Sequence, residues 1–249
     1  MKAILFDANW CVGCGACEEA CSEKNGLPAD AEPGLHADRF TTLEEHDDWY
    51  LRRMCMHCVE PSCASACPVG ALYKTEAGPV AYEYEKCMGC RYCMVACPFS
   101  VPRYEWASLL PRVRKCQMCS DRVARGLPTA CSEACPAEAT MFGEREDMIA
   151  LAKQRIAESP DEYSSHIYGL EEVGGTCVLV IGSPELIETA FDPRIPDEAL
   201  PEKTWQVLSR IPTAVGVAGV GLVGVNWIIR RRMKLMNAET VSSNGRGER

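Results

Sequence analysis

"CMGCRYCMVACP", residues 87–98, places four cysteines in twelve residues and closes with proline. A disulfide needs two thiols, not four. A zinc ion takes four, but from separated pairs. The meaning of the stretch depends on whether its pattern recurs, and it does. Cys11, Cys14, Cys17 and Cys21 repeat the spacing C-x2-C-x2-C-x3-C, while Cys55, Cys58, Cys63 and Cys67 read C-x2-C-x4-C-x3-C-P. Cys87, Cys90, Cys93 and Cys97 are the opening stretch. Cys116, Cys119, Cys131 and Cys135 have a long central gap and Pro136 at the end. The four quartets use sixteen of seventeen cysteines and leave only Cys177.

Seventeen cysteines in 249 residues signal either a disulfide scaffold or metal sites. Disulfide scaffolds do not repeat one spacing. The second and fourth quartets alone would pass as zinc sites, but the first and third would not, because a third cysteine follows at once. The run C-x2-C-x2-C-x3-C-P is the bacterial ferredoxin spacing for iron-sulfur clusters. A cubane cluster has four irons at the corners of a small tetrahedron, each needing one thiolate. Three cysteines on a tight loop wrap one side of the cube, and the fourth, on the following helix, points to a second cluster. Two such runs form a reciprocal pair. Four quartets therefore predict four [4Fe-4S] clusters and a wire rather than an active site. All sixteen positions are cysteine, so no three-iron cluster is expected.

These residues resemble the iron-sulfur electron-transfer (beta) subunit of membrane-bound molybdopterin oxidoreductases and uptake hydrogenases. They look most like the anchored type found with formate dehydrogenase and nickel-iron hydrogenase. The resemblance covers about residues 3–185 and the C-terminal helix. It implies that the first quartet pairs with the fourth and the second with the third. Carried over, Cys11, Cys14, Cys17 and Cys135 would hold one cluster, and Cys116, Cys119, Cys131 and Cys21 its mate. Cys55, Cys58, Cys63 and Cys97 would hold a third, and Cys87, Cys90, Cys93 and Cys67 the fourth. The first quartet departs from the pattern in having Ser22 after its last cysteine. Proline there shapes the turn rather than binding iron.

Elsewhere the chain supports the wire. Residues 22–54, rich in charge with Pro28, Pro33 and Gly34, read as loops over the first half. "ALYKTEAGPVAYEYEKC" reads as a hairpin by alternation and turn residues. Arg112, Arg114 and Lys115 read as a solvated basic loop; the alternative is a positive field on a nearby cluster. Residues 144–158 have helical apolar spacing, and "GGTCVLVIG", 174–182, is a short buried strand with Cys177 as an inert thiol. Of the four histidines only His57 lies in a cluster loop, where it would donate a hydrogen bond rather than ligate. No catalytic triad, paired-carboxylate site or phosphate loop is evident. A net charge of −9 argues against nucleic acid as a partner.

"IPTAVGVAGVGLVGVNWIIRRRMK" begins at Ile211, and its apolar part to Ile229 is 19 residues without a charge. A bilayer span needs about 20, and the glycine load would make a poor helix in water. Ala214, Ala218 and the glycines would let another helix approach closely. Arg230, Arg231, Arg232 and Lys234 follow directly, so the positive-inside rule puts the C-terminus in the cytoplasm and the cluster domain on the periplasmic side. No signal peptide is read at the N-terminus. The resemblance implies export of the folded subunit bound to a partner with a twin-arginine signal.

The expected fold is α+β: two ferredoxin-like halves, each with two clusters, over residues 1–145. A helix-strand extension over 146–200, a transmembrane anchor over 201–236 and a flexible cytoplasmic tail over 237–249 follow. The expected role is non-catalytic electron relay between a molybdopterin or nickel-iron catalytic subunit and a quinone-linked or cytochrome b membrane subunit. A terminal-reductase subunit and a free-standing polyferredoxin are the alternatives.

Overall fold

Lys2–Asp7 forms strand β1, in which Ala3, Ile4, Leu5 and Phe6 are all buried rather than alternately so. A strand covered on both faces reads as a continuous apolar run. Helix α1 (Ala16–Asn25) follows, then the hairpin β2 (Thr42–Glu45) and β3 (Tyr50–Arg53), and helix α2 (Ser62–Ser65). A second hairpin, β4 (Leu72–Lys74) and β5 (Val80–Tyr82), leads to helix α3 (Tyr92–Ala96). A third, β6 (Arg103–Tyr104) and β7 (Val113–Arg114), leads to helices α4 (Ser120–Val123) and α5 (Ala130–Glu133). Strand β8 (Thr140–Glu144), helix α6 (Arg145–Glu158), strand β9 (Val178–Ile181) and helix α7 (Pro184–Ala190) come next. Helices α8 (Leu200–Leu208) and α9 (Ile211–Asn244) close the chain. The computed structural model describes residues 1–46 and 48–244, with side chains to residue 235. It forms two compact units, Met1–Pro201 and Glu202 onward.

β1 is the centre of a three-stranded sheet. It pairs antiparallel with β8, Ile4 opposite Phe142, and parallel with β9, Ile4 opposite Val178. Helix α6 packs on this sheet through Met148 and Ala152, on one face as the periodicity predicts. The extension is therefore woven into the same sheet as the N-terminus. Asp7 fastens the junction: fully buried, it accepts from Arg155 Nη1 at 2.7 Å and from the Tyr163 hydroxyl at 2.9 Å. A buried carboxylate is tolerable only with such partners.

The hairpin predicted between Leu72 and Tyr82 is β4–β5, with Leu72 opposite Tyr82. The loops expected over 22–54 are in part regular. α1 runs on to Asn25, and β2 pairs with β3, Thr42 opposite Arg53 and Glu44 opposite Leu51. Four charges in these eight residues masked the strand pattern. One of them, Arg52, points inward.

The second unit is helical. α9 exposes Val215, Val217, Val220, Leu222 and Val223 by more than half. The stretch Leu200–Leu235 is long and apolar enough to cross a membrane. The backbone stays helical through Asn244, past residue 237 where the tail is predicted. Residues 245–249 of that tail lie outside the described residues.

Candidate metal centre

The four cysteine loops share one backbone device. The third residue of each opening C-x-x-C is left-handed: Gly13, His57, Gly89 and Met118 have φ between 50° and 72°. Such a residue in a turn directs successive N–H groups to one side and makes a concavity for an anion. Donors reach the sulfurs accordingly. Met118 N donates to Cys116 Sγ at 3.3 Å and Ala71 N to Cys67 Sγ at 3.2 Å. The N–H groups of Gly13, Val101 and Ala130 serve Cys11, Cys97 and Cys119. Three helices end just before the last cysteine of their run, where proline forbids continuation. The turns are closed by Gly70 N to Cys67 O, Ser100 N to Cys97 O and Glu138 N to Cys135 O.

Helix packing brings the runs together in pairs: α1 lies on α5, and α2 on α3. The thiols group across the pairs. Cys11 stands near Cys135, Cys14 and Cys17. Cys21 stands with Cys131, Cys119 and Cys116. Cys97 joins Cys55, Cys58 and Cys63, and Cys67 joins Cys87, Cys90 and Cys93. Each run's last cysteine thus lies near cysteines of the partner run. The groups also adjoin one another in a row: Cys17 meets Cys131, Cys116 meets Cys55, and Cys63 meets Cys93. Cys177 stands apart, fully buried, with Lys74 Nζ donating to it at 3.3 Å.

The groups fit a cluster better than a single ion. Among the described residues no three His, Cys, Asp or Glu side chains converge on one ion-sized point. A tetrahedral zinc would hold its sulfurs about 3.8 Å apart, given a Zn–S bond of about 2.3 Å. A cube between the sulfurs holds them wider. The sites also bury cations with no carboxylate partner among the described residues. Arg52, 5% exposed, donates only to threonine hydroxyls and sulfur; Lys115, 3% exposed, donates to the carbonyls of Val80 and Cys116. Buried charge needs an opposite charge, and thiolates around an anionic cluster supply it.

Among the described residues three buried polar atoms have no nitrogen or oxygen partner: Arg39 Nε, His57 Nε2 and the Tyr82 hydroxyl. Val80 N donates to His57 Nδ1 at 2.9 Å, so the proton of the neutral ring sits on Nε2. Burial, with Lys115 and Lys74 nearby, holds His57 well below its ordinary pKa. Tyr82 lies against Cys87. The Tyr82 hydroxyl is placed to donate to the Cys87 sulfur, and His57 Nε2 is a donor beside its cysteine loop.

Without a metal the thiols resist ionisation. Burial, with help from neighbouring thiols, pushes Cys17 up to about 11 and Cys21 and Cys63 up to about 12. Cys131 and Cys87 go the other way. Burial would raise each, but Arg52 and Thr129 at Cys131, and Tyr82 with the Val113 and Gly89 N–H groups at Cys87, hold them below the ordinary thiol value. Metal binding must displace these protons.

Sequence reading took Lys115 as part of a solvated loop. Arg112 and Arg114 do pair at the surface with Glu85 and Glu105, but Lys115 is buried, its amine capping two carbonyls. Arg52 and Tyr82 were missed altogether. The available signal was position: Lys115 precedes Cys116 directly, and Arg52 precedes Cys55 by three residues.

Residues 47–145 match the model of a 4Fe-4S dicluster domain, and residues 2–23 that of a 4Fe-4S binding domain. The hydrogenase-2 operon protein HybA of Escherichia coli O157:H7 is 32% identical over 93% of this chain and 84% of its own. The formate dehydrogenase iron-sulfur subunit of Haemophilus influenzae is 35% identical over 90% and 78%. A Nitratidesulfovibrio vulgaris protein is 37% identical over 95% and 69%.

Proposed function

The chain belongs to the 4Fe-4S electron-transfer subunits of formate dehydrogenase and hydrogenase type, which serve respiratory oxidoreductases, and from that membership we propose that its sixteen quartet cysteines hold four clusters in a row. One observation supports the assignment: each run's last cysteine lies near cysteines of its partner run, Cys135 near Cys11, Cys21 near Cys116, Cys119 and Cys131, Cys97 near Cys55, Cys58 and Cys63, and Cys67 near Cys93. The relay then follows the row in which the groups adjoin: Cys11/14/17/135, Cys21/116/119/131, Cys55/58/63/97, Cys67/87/90/93. The two ferredoxin-like halves are the first and second pairs of that row, within residues 1–145. Residues 146–200 support them through β9 and α6.

Bound clusters supply one-electron steps. The chain's own residues do the rest: sixteen sulfurs fix the spacing, backbone N–H groups and buried cations set the local field, and burial excludes water. No residue here needs to move a proton. The ends of the row face a catalytic subunit of the formate dehydrogenase or hydrogenase kind and a quinone-linked membrane subunit. α9 anchors the chain in the bilayer, with Arg230–Arg232 and Lys234 on the cytoplasmic side and the clusters outside.

The test is elemental analysis of the complex purified without oxygen through a tag on this chain. About 16 iron belong to this subunit, four per cluster. Molybdenum or tungsten alongside identifies a molybdopterin partner, and nickel a hydrogenase. Zinc with little iron overturns the cluster assignment.

A further inference from the structure

Arg52 lies on β3, outside every cysteine run, and is 5% exposed. Two neutral hydroxyls tether it: Nε donates to Thr41 Oγ1 at 2.9 Å, and Nη1 to Thr140 Oγ1 at 3.2 Å. Among the described residues no carboxylate pairs with it. A guanidinium cannot shed its charge to escape burial. Its charged surroundings are sulfurs: Cys131, within hydrogen-bonding reach, then Cys17 and Cys116, with Cys11 and Cys21 also close. These thiols come from both groups of the first half. By contrast Lys115, the other buried cation among the described residues, faces Cys63 and Cys97 of the second half.

We propose that Arg52 is a shared counter-charge of the two first-half clusters, held between them by Thr41 and Thr140, and that it raises both reduction potentials together. The inference rests on the cluster assignment above. Each reduction adds one electron and no proton, delivered by the complex's own electron flow. The anionic site gains one negative charge while Arg52 stays positive, so the reduced state gains more from the cation than the oxidised state does. Arg52 touches no reacting atom of a substrate; it is a positioning residue whose effect is read in potentials.

The experiment is an EPR-monitored redox titration of the whole complex, purified without oxygen, in wild type, Arg52→Gln and Arg52→Lys. Arg52→Gln is expected to lower two of the four potentials at least tenfold in reduction equilibrium, which is 59 mV for a one-electron couple, and to leave two unmoved. Arg52→Lys, which keeps the charge, is expected to restore most of the shift. An Arg52→Gln complex with full iron and all four potentials unmoved, or all four moved alike, overturns the inference. If Arg52→Gln fails to load its clusters, Arg52→Lys decides: potentials near wild type support the charge role, and a tenfold fall in the first pair overturns it. A wild-type complex without about 16 iron defeats the cluster assignment itself, a result distinct from unmoved potentials in a loaded protein.

Discussion

Residues 11–22 and 87–98 carry the same cysteine spacing, yet one ends in Ser22 and the other in Pro98. In the first, α1 runs four residues past Cys21 and stops at Gly26, which is left-handed, with Leu27 N donating to Ser22 O at 2.9 Å. In the third, α3 ends at Ala96, Cys97 is extended, and Pro98 opens a tight turn. Both last cysteines still reach the partner run. The spacing therefore places the sulfur, and the residue after it only decides where the chain goes next. The surroundings differ more. Both loops expose their opening turn, Val12 and Cys14 in the first and Met88 and Tyr92 in the third, but the first has buried Arg52 beside its third cysteine, Cys17. Equal ligand spacing with unequal surroundings is how one repeated unit acquires different potentials along a wire.

The strongest way to break this comparison is to remove the two last cysteines. Cys97→Ala is expected to abolish or convert the EPR signal of the cluster held by Cys55, Cys58 and Cys63, the same signal that Cys63→Ala alters. The signal altered by Cys93→Ala should stay. Cys21→Ala should likewise act on the signal that Cys119→Ala alters. If Cys97→Ala and Cys93→Ala strike one signal, each run keeps its own four cysteines and the exchange between runs is wrong.

Substituting Ser22→Pro tests the ends of the runs. Ser22 is interior to α1, so proline removes its hydrogen bond and crowds the carbonyl of Glu18, at a cost of about 3 kcal/mol. Thermal unfolding of the anaerobic complex should show the loss. An unchanged melting temperature would mean that the helix beyond Cys21 contributes nothing. This helix also marks what the sequence discloses. The cysteine runs, the β4–β5 hairpin, α6 and the apolar C-terminal helix are all readable, because spacing and periodicity are local. β1 as the central strand is not readable, since its partners β8 and β9 lie more than 130 residues away. Nor is Arg52, because a charged residue in a short strand looks the same whether it faces water or sulfur. Burial of that kind is decided by the group it must neutralise, which no local pattern records.

The smallest expected difference lies in the glycines of the two matched loops. Gly13 and Gly89 are both left-handed, at φ 68° and 72°, so alanine strains each backbone by about 1 kcal/mol. Their neighbours differ. A Cβ on Gly13 meets the ring of Tyr50, at the partly exposed start of β3, where the side chain has room to swing away. A Cβ on Gly89 meets the Pro111 carbonyl oxygen at 2.6 Å, and that backbone is held by the β6–β7 ladder next to it. Gly89→Ala is therefore expected to cost about 1 kcal/mol more than Gly13→Ala, as overpacking against fixed atoms does. Denaturation midpoints of the two variants measure the difference directly. Equal losses would mean that Tyr50 is as immobile as a hydrogen-bonded backbone. The hairpin β2–β3 would then brace the first cluster loop as rigidly as β6–β7 braces the third.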